Sequence, residues 1–365
     1  MIYLDHGATS FPKPLAVNAA MAEAMETCAN PGRGGYPAAM AATELLYSCR
    51  EMAAKLFACQ PEQVVFTGNC THGLNVAIRT LVKPGDNVLI SGFEHNAVTR
   101  PLRMLGAKVV VAGRKLFDWD DMLRSWEAAL KTGPKAAVFT HVSNVFGYIL
   151  PVAQMASLCR QYGVPFVVDA AQSAGILPVS LRELEADFIA MPGHKGLLGP
   201  MGTGILLCAR LPDPLICGGT GSNSMDSEMP DFLPDRAEAG THNVPGIAGL
   251  LKGICYVNRL GLEVIRKREQ RQMAYCAEEL KKMGFSVFAG DHQSGTVSFL
   301  PGMDCQEMAQ SLAKMGIAVR AGLHCAPLAH ESAGTLQTGT VRLSFGHDAC
   351  DQQSRAFLRA VRKLR

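Results

Sequence analysis

No apolar run in these 365 residues approaches the roughly 20 needed to cross a bilayer as a helix. The opening MIYLDHGATS has no basic start, no apolar core and no small-residue cleavage site, so no secretory leader is read and a cytoplasmic protein is expected. An excess of one charge is also missing. The 35 Lys and Arg against 32 Asp and Glu leave +3, spread without a basic stripe, which argues against nucleic acid or an anionic membrane as partner. Twelve cysteines are present without one C-x-x-C pair, so neither a disulfide framework nor a metal site is read from them. Most should be reduced fillers of the core. Internal repeats and low-complexity tracts are absent as well.

What is present is enough apolar material, 48% of residues, to bury a large core. From about residue 64 to 208, short β-branched runs (VVFT, NVLIS, KVVVAG, AAVFT, FVVD, DFIAM, TGILLC) alternate with helical patterns, among them 71–82, 119–131 and 152–162. That alternation predicts an α/β fold with a mainly parallel central sheet and helices on both faces. Residues 209–245, with LPDPL and GGTGSNS, break the pattern and read as an extended loop region. Helical patterns at 245–283, the strands TVSFL and TVRLSF, and a closing helix then suit a smaller α+β domain. The expected division is a large domain over 15–245 and a small one over 246–365, with segment 1–14 packing against the small domain or the active site.

Ligands in open parallel sheets collect at the carboxyl ends of the strands. Asp169 ends the run FVV, and Lys195 follows DFIAM within Pro192-Gly193-His194-Lys195-Gly196. A carboxylate and an amine so placed can reach opposite ends of one flat cofactor. Pyridoxal 5'-phosphate (PLP) requires such a pair: an amine for its aldehyde and an acid that keeps its ring nitrogen protonated. Taken alone, Asp169 is equally a helix cap and Lys195 a solvated loop residue. Gly68-Asn69-Cys70-Thr71-His72-Gly73 follows a strand and opens a helix, where free N–H groups and the Thr71 hydroxyl can hold a phosphate. His95, after NVLIS, offers a ring to lie over a cofactor face.

Taken together, YLDHGAT, NCTHGLN, FEHNAV, HVSNVFG, VVDAAQSAG, PGHKGLLGPMGTG, AGTHNVPG, RAGLHCA and TVRLSF give a sequence that resembles the class V aminotransferase superfamily of PLP fold type I. Within it, the cysteine desulfurase and selenocysteine lyase group is the most similar. The motifs keep the family's order over nearly the whole chain.

The resemblance implies that Lys195 forms the Schiff base, Asp169 partners the pyridinium, Gln172 donates to the ring hydroxyl and His95 stacks on the ring. It further implies that Thr71, the His72 amide and His194 hold the phosphate. Thr241 would join them from the second subunit of a homodimer. Asn144 and Arg342 would take the substrate carboxylate, for which a guanidinium supplies two donors at once. Arg342 read alone is also a strand-end arginine, and Asn144 a turn former.

Cys325, in Arg320-Ala321-Gly322-Leu323-His324-Cys325, stands where the family places its sulfur acceptor, with His324 beside it. The implied reaction removes sulfur from L-cysteine, leaving L-alanine and a Cys325 persulfide. Lys195 would take the Cα proton, with His324 or His95 moving protons. The persulfide would pass to an acceptor protein that the sequence does not identify.

Selenocysteine lyase activity on L-selenocysteine is the alternative within the group. Transamination or β-elimination is the alternative within the superfamily. Pro192 occupies a position where relatives commonly have a phosphate-binding serine, His6-Gly7 replaces small or amide residues, and Leu323 replaces a histidine of one branch. Tyr3, Asp5 and Arg33 are candidates for the substrate entrance or for folding roles.

Overall fold

The computed structural model describes residues 1–32, 34–222 and 224–365; Arg33, a candidate for the substrate entrance, lies outside them. The chain opens with a two-residue strand, β1 (Ile2–Tyr3). It then lays down the main sheet: β2 (Val64–Thr67), β3 (Asn87–Ser91), β4 (Lys108–Ala112), β5 (Ala136–Thr140), β6 (Phe166–Asp169), β7 (Phe188–Pro192) and β8 (Gly204–Cys208). Among the described residues this sheet has seven strands in the order β2-β8-β7-β6-β5-β3-β4. All its pairings are parallel except those of β8, which runs against both neighbours.

The central strands read as unbroken apolar runs because successive side chains point to opposite faces and both faces are covered. Ala137, Phe139, Phe166 and Val168 enter the core on one side. Ala136, Val138 and Val167 enter the core on the other. Burial of each such Val or Phe is worth about 1.5–3 kcal/mol relative to exposure, so a register slip by one residue is strongly disfavoured.

The expected helices appear at Cys70–Leu81, Trp119–Leu130 and Val152–Gln161, each within one residue of the predicted ends. Two earlier helices, Leu15–Thr27 and Pro37–Phe57, carry no clear sequence signal. Their alanine-rich faces show little contrast between buried and exposed positions, and Leu15, Met25 and Met40 are exposed.

Between β8 and helix Val244–Leu260, the described residues form one short regular element, the 3-10 turn Asp235–Ala237. Helix Leu262–Lys282 follows. A second sheet contains β9 (Ser286–Phe288), β10 (Thr296–Leu300), β12 (Arg320–Gly322) and β13 (Thr340–Ser344), antiparallel in the order β12-β13-β10-β9. It packs with helices Cys305–Lys314 and Asp351–Leu364 around Phe299, Met308, Leu343 and Phe357. The strand β11 (Ile317–Ala318) pairs in parallel with β1, so the start of the chain is tied to this second group of elements.

Candidate active site

A cavity of about 240 Å³ opens at the carboxyl ends of β6 and β7 and reaches across to β12 and β13. Thr71, His95, Asn144, Asp169, Gln172, His194, Lys195, His324, Cys325 and Arg342 all line it. All ten are candidates of the sequence analysis, and folding gathers them from positions as far apart as 71 and 342. His72 and Thr241 do not line it; both border a separate cavity beside Gly202 and Asn243. The structure therefore does not bring Thr241 to Lys195 within one chain.

At the floor, Asp169 is buried at the end of β6. Its Oδ1 accepts from the Ala171 N–H at 2.8 Å and from the Cys70 thiol at 3.6 Å, while Oδ2 receives no hydrogen bond from the described residues. Desolvation pushes this carboxyl above its ordinary range, with Ala171, Lys195 and Cys70 pulling the other way. Lys195, half-buried after β7, donates to no acceptor among the described residues, and desolvation lowers its pKa. Glu94, which the sequence reading passed over beside His95, is fully buried. Its Oε1 accepts from Ser91 and from the Thr140 N–H, Oε2 has no partner among the described residues, and desolvation raises its pKa to about 8.

The helix start at Cys70 supplies donors. Asn69 caps it by accepting the His72 N–H at 2.9 Å, so that amide is already engaged. The Cys70 and Thr71 amides have no acceptor among the described residues and point as helix-terminal N–H groups do. His95 caps helix Asn96–Met104 by accepting the Ala97 N–H at its Nδ1. That bond fixes the ring, and desolvation brings its pKa to about 4, so the ring is neutral at pH 7. His194, lowered to about 4 by the same cause, is held at Nδ1 by Thr9 Oγ1, while Ser10 and Lys13 donate to its carbonyl. Gln172 donates one amide hydrogen to Gly7 O at 3.0 Å.

Opposite the floor, Arg342 on β13 is 1% exposed, which removes the reading of it as a surface arginine. It donates to Asn144 O at 2.8 Å and to Asp5 Oδ1 at 2.5 Å, giving Asp5 a definite partner. Gly7 has no side chain for a steric reason: a Cβ there would stand 3.2 Å from the Arg342 guanidinium carbon. Arg320 also lines the cavity, so Lys195, Arg320 and Arg342 face Asp169.

Cys325 is exposed at the rim. Both His324 and Cys325 have left-handed backbones, φ +49° and +58°, which non-glycine residues adopt only when the surroundings enforce it. The enforcing bonds run from the Asn96 N–H to Cys325 O and from Asn144 Nδ2 to His324 O, both 2.8 Å. The thiol thus sits on a short, pinned turn. His324 departs from its expected part. Its ring is 4% exposed, within reach of Thr340 Oγ1 at Nε2 and packed on His330, and desolvation together with Arg342 lowers its pKa to about 2. A ring that is neutral at pH 7 supplies no positive charge to activate the adjacent thiol.

The site's chemistry fits PLP. An unengaged amine, a buried acid with one oxygen free, a neutral ring fixed at the wall and unengaged amides at a helix start are the groups that such a phosphate ester requires.

Comparison with known proteins agrees. The model of the family described as Aminotransferase class-V matches residues 2–357. A probable cysteine desulfurase of Methanothermobacter thermautotrophicus is 35% identical, over 94% of this chain and 89% of that protein. A cysteine desulfurase of Escherichia coli is 34% identical, over 89% of this chain and 84% of that protein. The apo structure of a cysteine desulfurase from Thermococcus onnurineus superposes with a TM-score of 0.93 at 32% identity, covering all of this chain and 94% of that one. These families are PLP-dependent, and the mainly parallel sheet described above is their fold. On the match along nearly its whole length, the chain belongs to the class-V aminotransferase family.

Proposed function

We propose that the protein is a cysteine desulfurase that converts L-cysteine to L-alanine and leaves the sulfur on Cys325. The observation that carries this reading is an exposed cysteine, fixed on a pinned turn, at the rim of the cavity that holds an unengaged lysine. A transaminase has no use for such a thiol.

PLP, when bound, supplies an aldehyde that condenses with amines and a protonated ring that draws electrons from the substrate. Lys195 is the residue to hold it. Asp169 would keep the ring nitrogen protonated, with the oxygen not engaged by Ala171 and Cys70 free to meet it. Gln172 has a second amide hydrogen that the ring hydroxyl would accept, and His95 would lie over the ring face. The Cys70 and Thr71 amides, the Thr71 hydroxyl and His194 hold the phosphate.

Arg342 and Asn144 bind the substrate carboxylate. A neutral Lys195 amine, favoured by its lowered pKa, takes the Cα proton at Nζ. Cys325 Sγ, as thiolate, then attacks the substrate sulfur; an S–S bond forms as the carbon–sulfur bond breaks, its electron pair stays with Cβ, which takes a proton, and Lys195 Nζ returns the proton to Cα to give alanine. His95 serves proton movement at the wall, and His324 serves by shaping the turn.

Thr241 is assigned to the phosphate of a second subunit, which makes the working unit a homodimer. Its place beside His72, outside the Lys195 cavity of its own chain, supports this assignment. Residues 15–245 and 246–365 are assigned to a large and a small domain; the two sheets have separate cores, though helix Val244–Leu260 spans that boundary and packs Ile247, Leu250 and Ile254 into the first. A reducing, cytoplasmic setting suits twelve cysteines without a disulfide. No described helix is long and apolar enough to cross a membrane.

Intact-mass analysis of the PLP-loaded protein after incubation with L-cysteine tests the proposal. One added sulfur, mapped to Cys325 and accompanied by alanine, is the expected result. Pyruvate without protein-bound sulfur refutes it.

A further inference from the structure

Cys70 is the second cysteine lining the Lys195 cavity, and its surroundings are the reverse of those of Cys325. It begins helix Cys70–Leu81 and is buried, with Sγ 3.6 Å from Asp169 Oδ1. Desolvation and the neighbouring Asp169 push its pKa well up, so the thiol keeps its proton and stays a donor. A protonated thiol is a poor nucleophile, which rules it out as a competing sulfur acceptor. As a donor it withdraws charge from a buried carboxylate and fixes its plane, leaving Oδ2 as the oxygen free to meet a ligand.

We infer that Cys70 is a positioning residue: its S–H bond orients Asp169 and weakens that acid's hold on a proton, so setting how electron-poor the cofactor ring becomes. The inference rests on the PLP reading above and adds a residue to it. The other charged or titratable groups around the pair are His194 and Lys195 after β7, Glu94 and His95 after β3, and Arg320, His324, Cys325 and Arg342 from the second group of elements. None of them changes in the variants below.

Two measurements test it. In apoprotein, the infrared difference between native and Cys70→Ala or Cys70→Ser protein isolates one S–H stretch. It should lie below the frequency of a free thiol and rise towards it in Asp169→Asn.

In PLP-loaded protein, the visible absorbance titrates with pH. Without the donor, Asp169 grows more basic and the ring less electron-poor, so the lysine-linked nitrogen keeps its proton to higher pH. The midpoint should move up by about 0.5–1 unit in Cys70→Ala. Cys70→Ser, which restores a donor, should titrate with the native protein. A thiol that only filled space would give the two variants one common shift.

An S–H band at the free-thiol frequency overturns the inference, as does a common midpoint for both variants. A protein with the lowered S–H band that never takes up PLP retains the Cys70–Asp169 bond, but overturns the desulfurase proposal and with it the role drawn for the bond.

Discussion

The floor and the rim of one cavity treat the same functional groups in opposite ways. At the floor, Asp169, Lys195, Cys70 and Glu94 are all shifted towards their neutral forms by desolvation. At the rim, Cys325 is exposed to solvent, on a backbone held by its neighbours' hydrogen bonds. The floor sets proton affinities by removing water, and the rim fixes the place of its thiol through backbone hydrogen bonds. Two cysteines in one pocket thereby acquire different chemistry: one stays a protonated donor, and the other is free to react and to be reached.

Four experiments bear on that contrast. The largest effect is expected from Lys195→Ala, which removes the base from the floor. Alanine formation should fall by about 10⁴-fold or more, and borohydride should no longer fix cofactor to the protein. A variant within tenfold of the native rate breaks the assignment of the floor.

Cys325→Ala follows, with alanine formation lower by about 10²–10³-fold and no added sulfur by mass. Peptide mapping of the native protein should find sulfur on Cys325 and none on Cys70. Sulfur on Cys70 erases the difference between the two regions.

A smaller effect is expected from Arg342→Lys, which keeps the charge but loses the paired donors. The KM for L-cysteine should rise about tenfold, equal to about 1.4 kcal/mol, with kcat little changed. A fall in kcat alone would place Arg342 outside substrate binding.

His324→Gln concerns stability. The folded ring takes a proton only near pH 2, against 6.5 in the unfolded chain. Its neutral form therefore stabilises the fold fully above pH 6.5, and that contribution is lost as pH falls from 6.5 towards 2. Urea midpoints of the variant should decline less steeply between pH 6.5 and 4 than those of the native protein. Equal slopes would show that the ring is hydrated, like the rim thiol beside it.

Much of the fold was legible because fully buried strands write themselves as β-branched runs: VVFT, NVLIS, AAVFT and FVVD all became strands of the main sheet. The helices Leu15–Thr27 and Pro37–Phe57 were not legible, since their buried stripes are largely alanine while Leu15, Met25, Met40 and Tyr47 are exposed, so the apolar pattern has little contrast. Strand β9 is short and half-buried and gave no signal. The members of the cavity were legible as motifs. Their pairings were not, because Asp5 with Arg342 and Cys70 with Asp169 are contacts between distant segments that no local spacing encodes. His324 shows the limit most clearly. Adjacency to Cys325 suggested a partner for the thiol, while the left-handed turn directs the ring into the protein instead.

The pairing of β1 with β11 and of Asp5 with Arg342 has a consequence for synthesis. On a ribosome, the fifth residue emerges early and must wait for the three hundred and forty-second before its partner exists. The amino-acid pocket is thus among the last things a nascent chain can assemble, and a truncated product lacking β13 would have the cofactor floor without the means to grip a substrate.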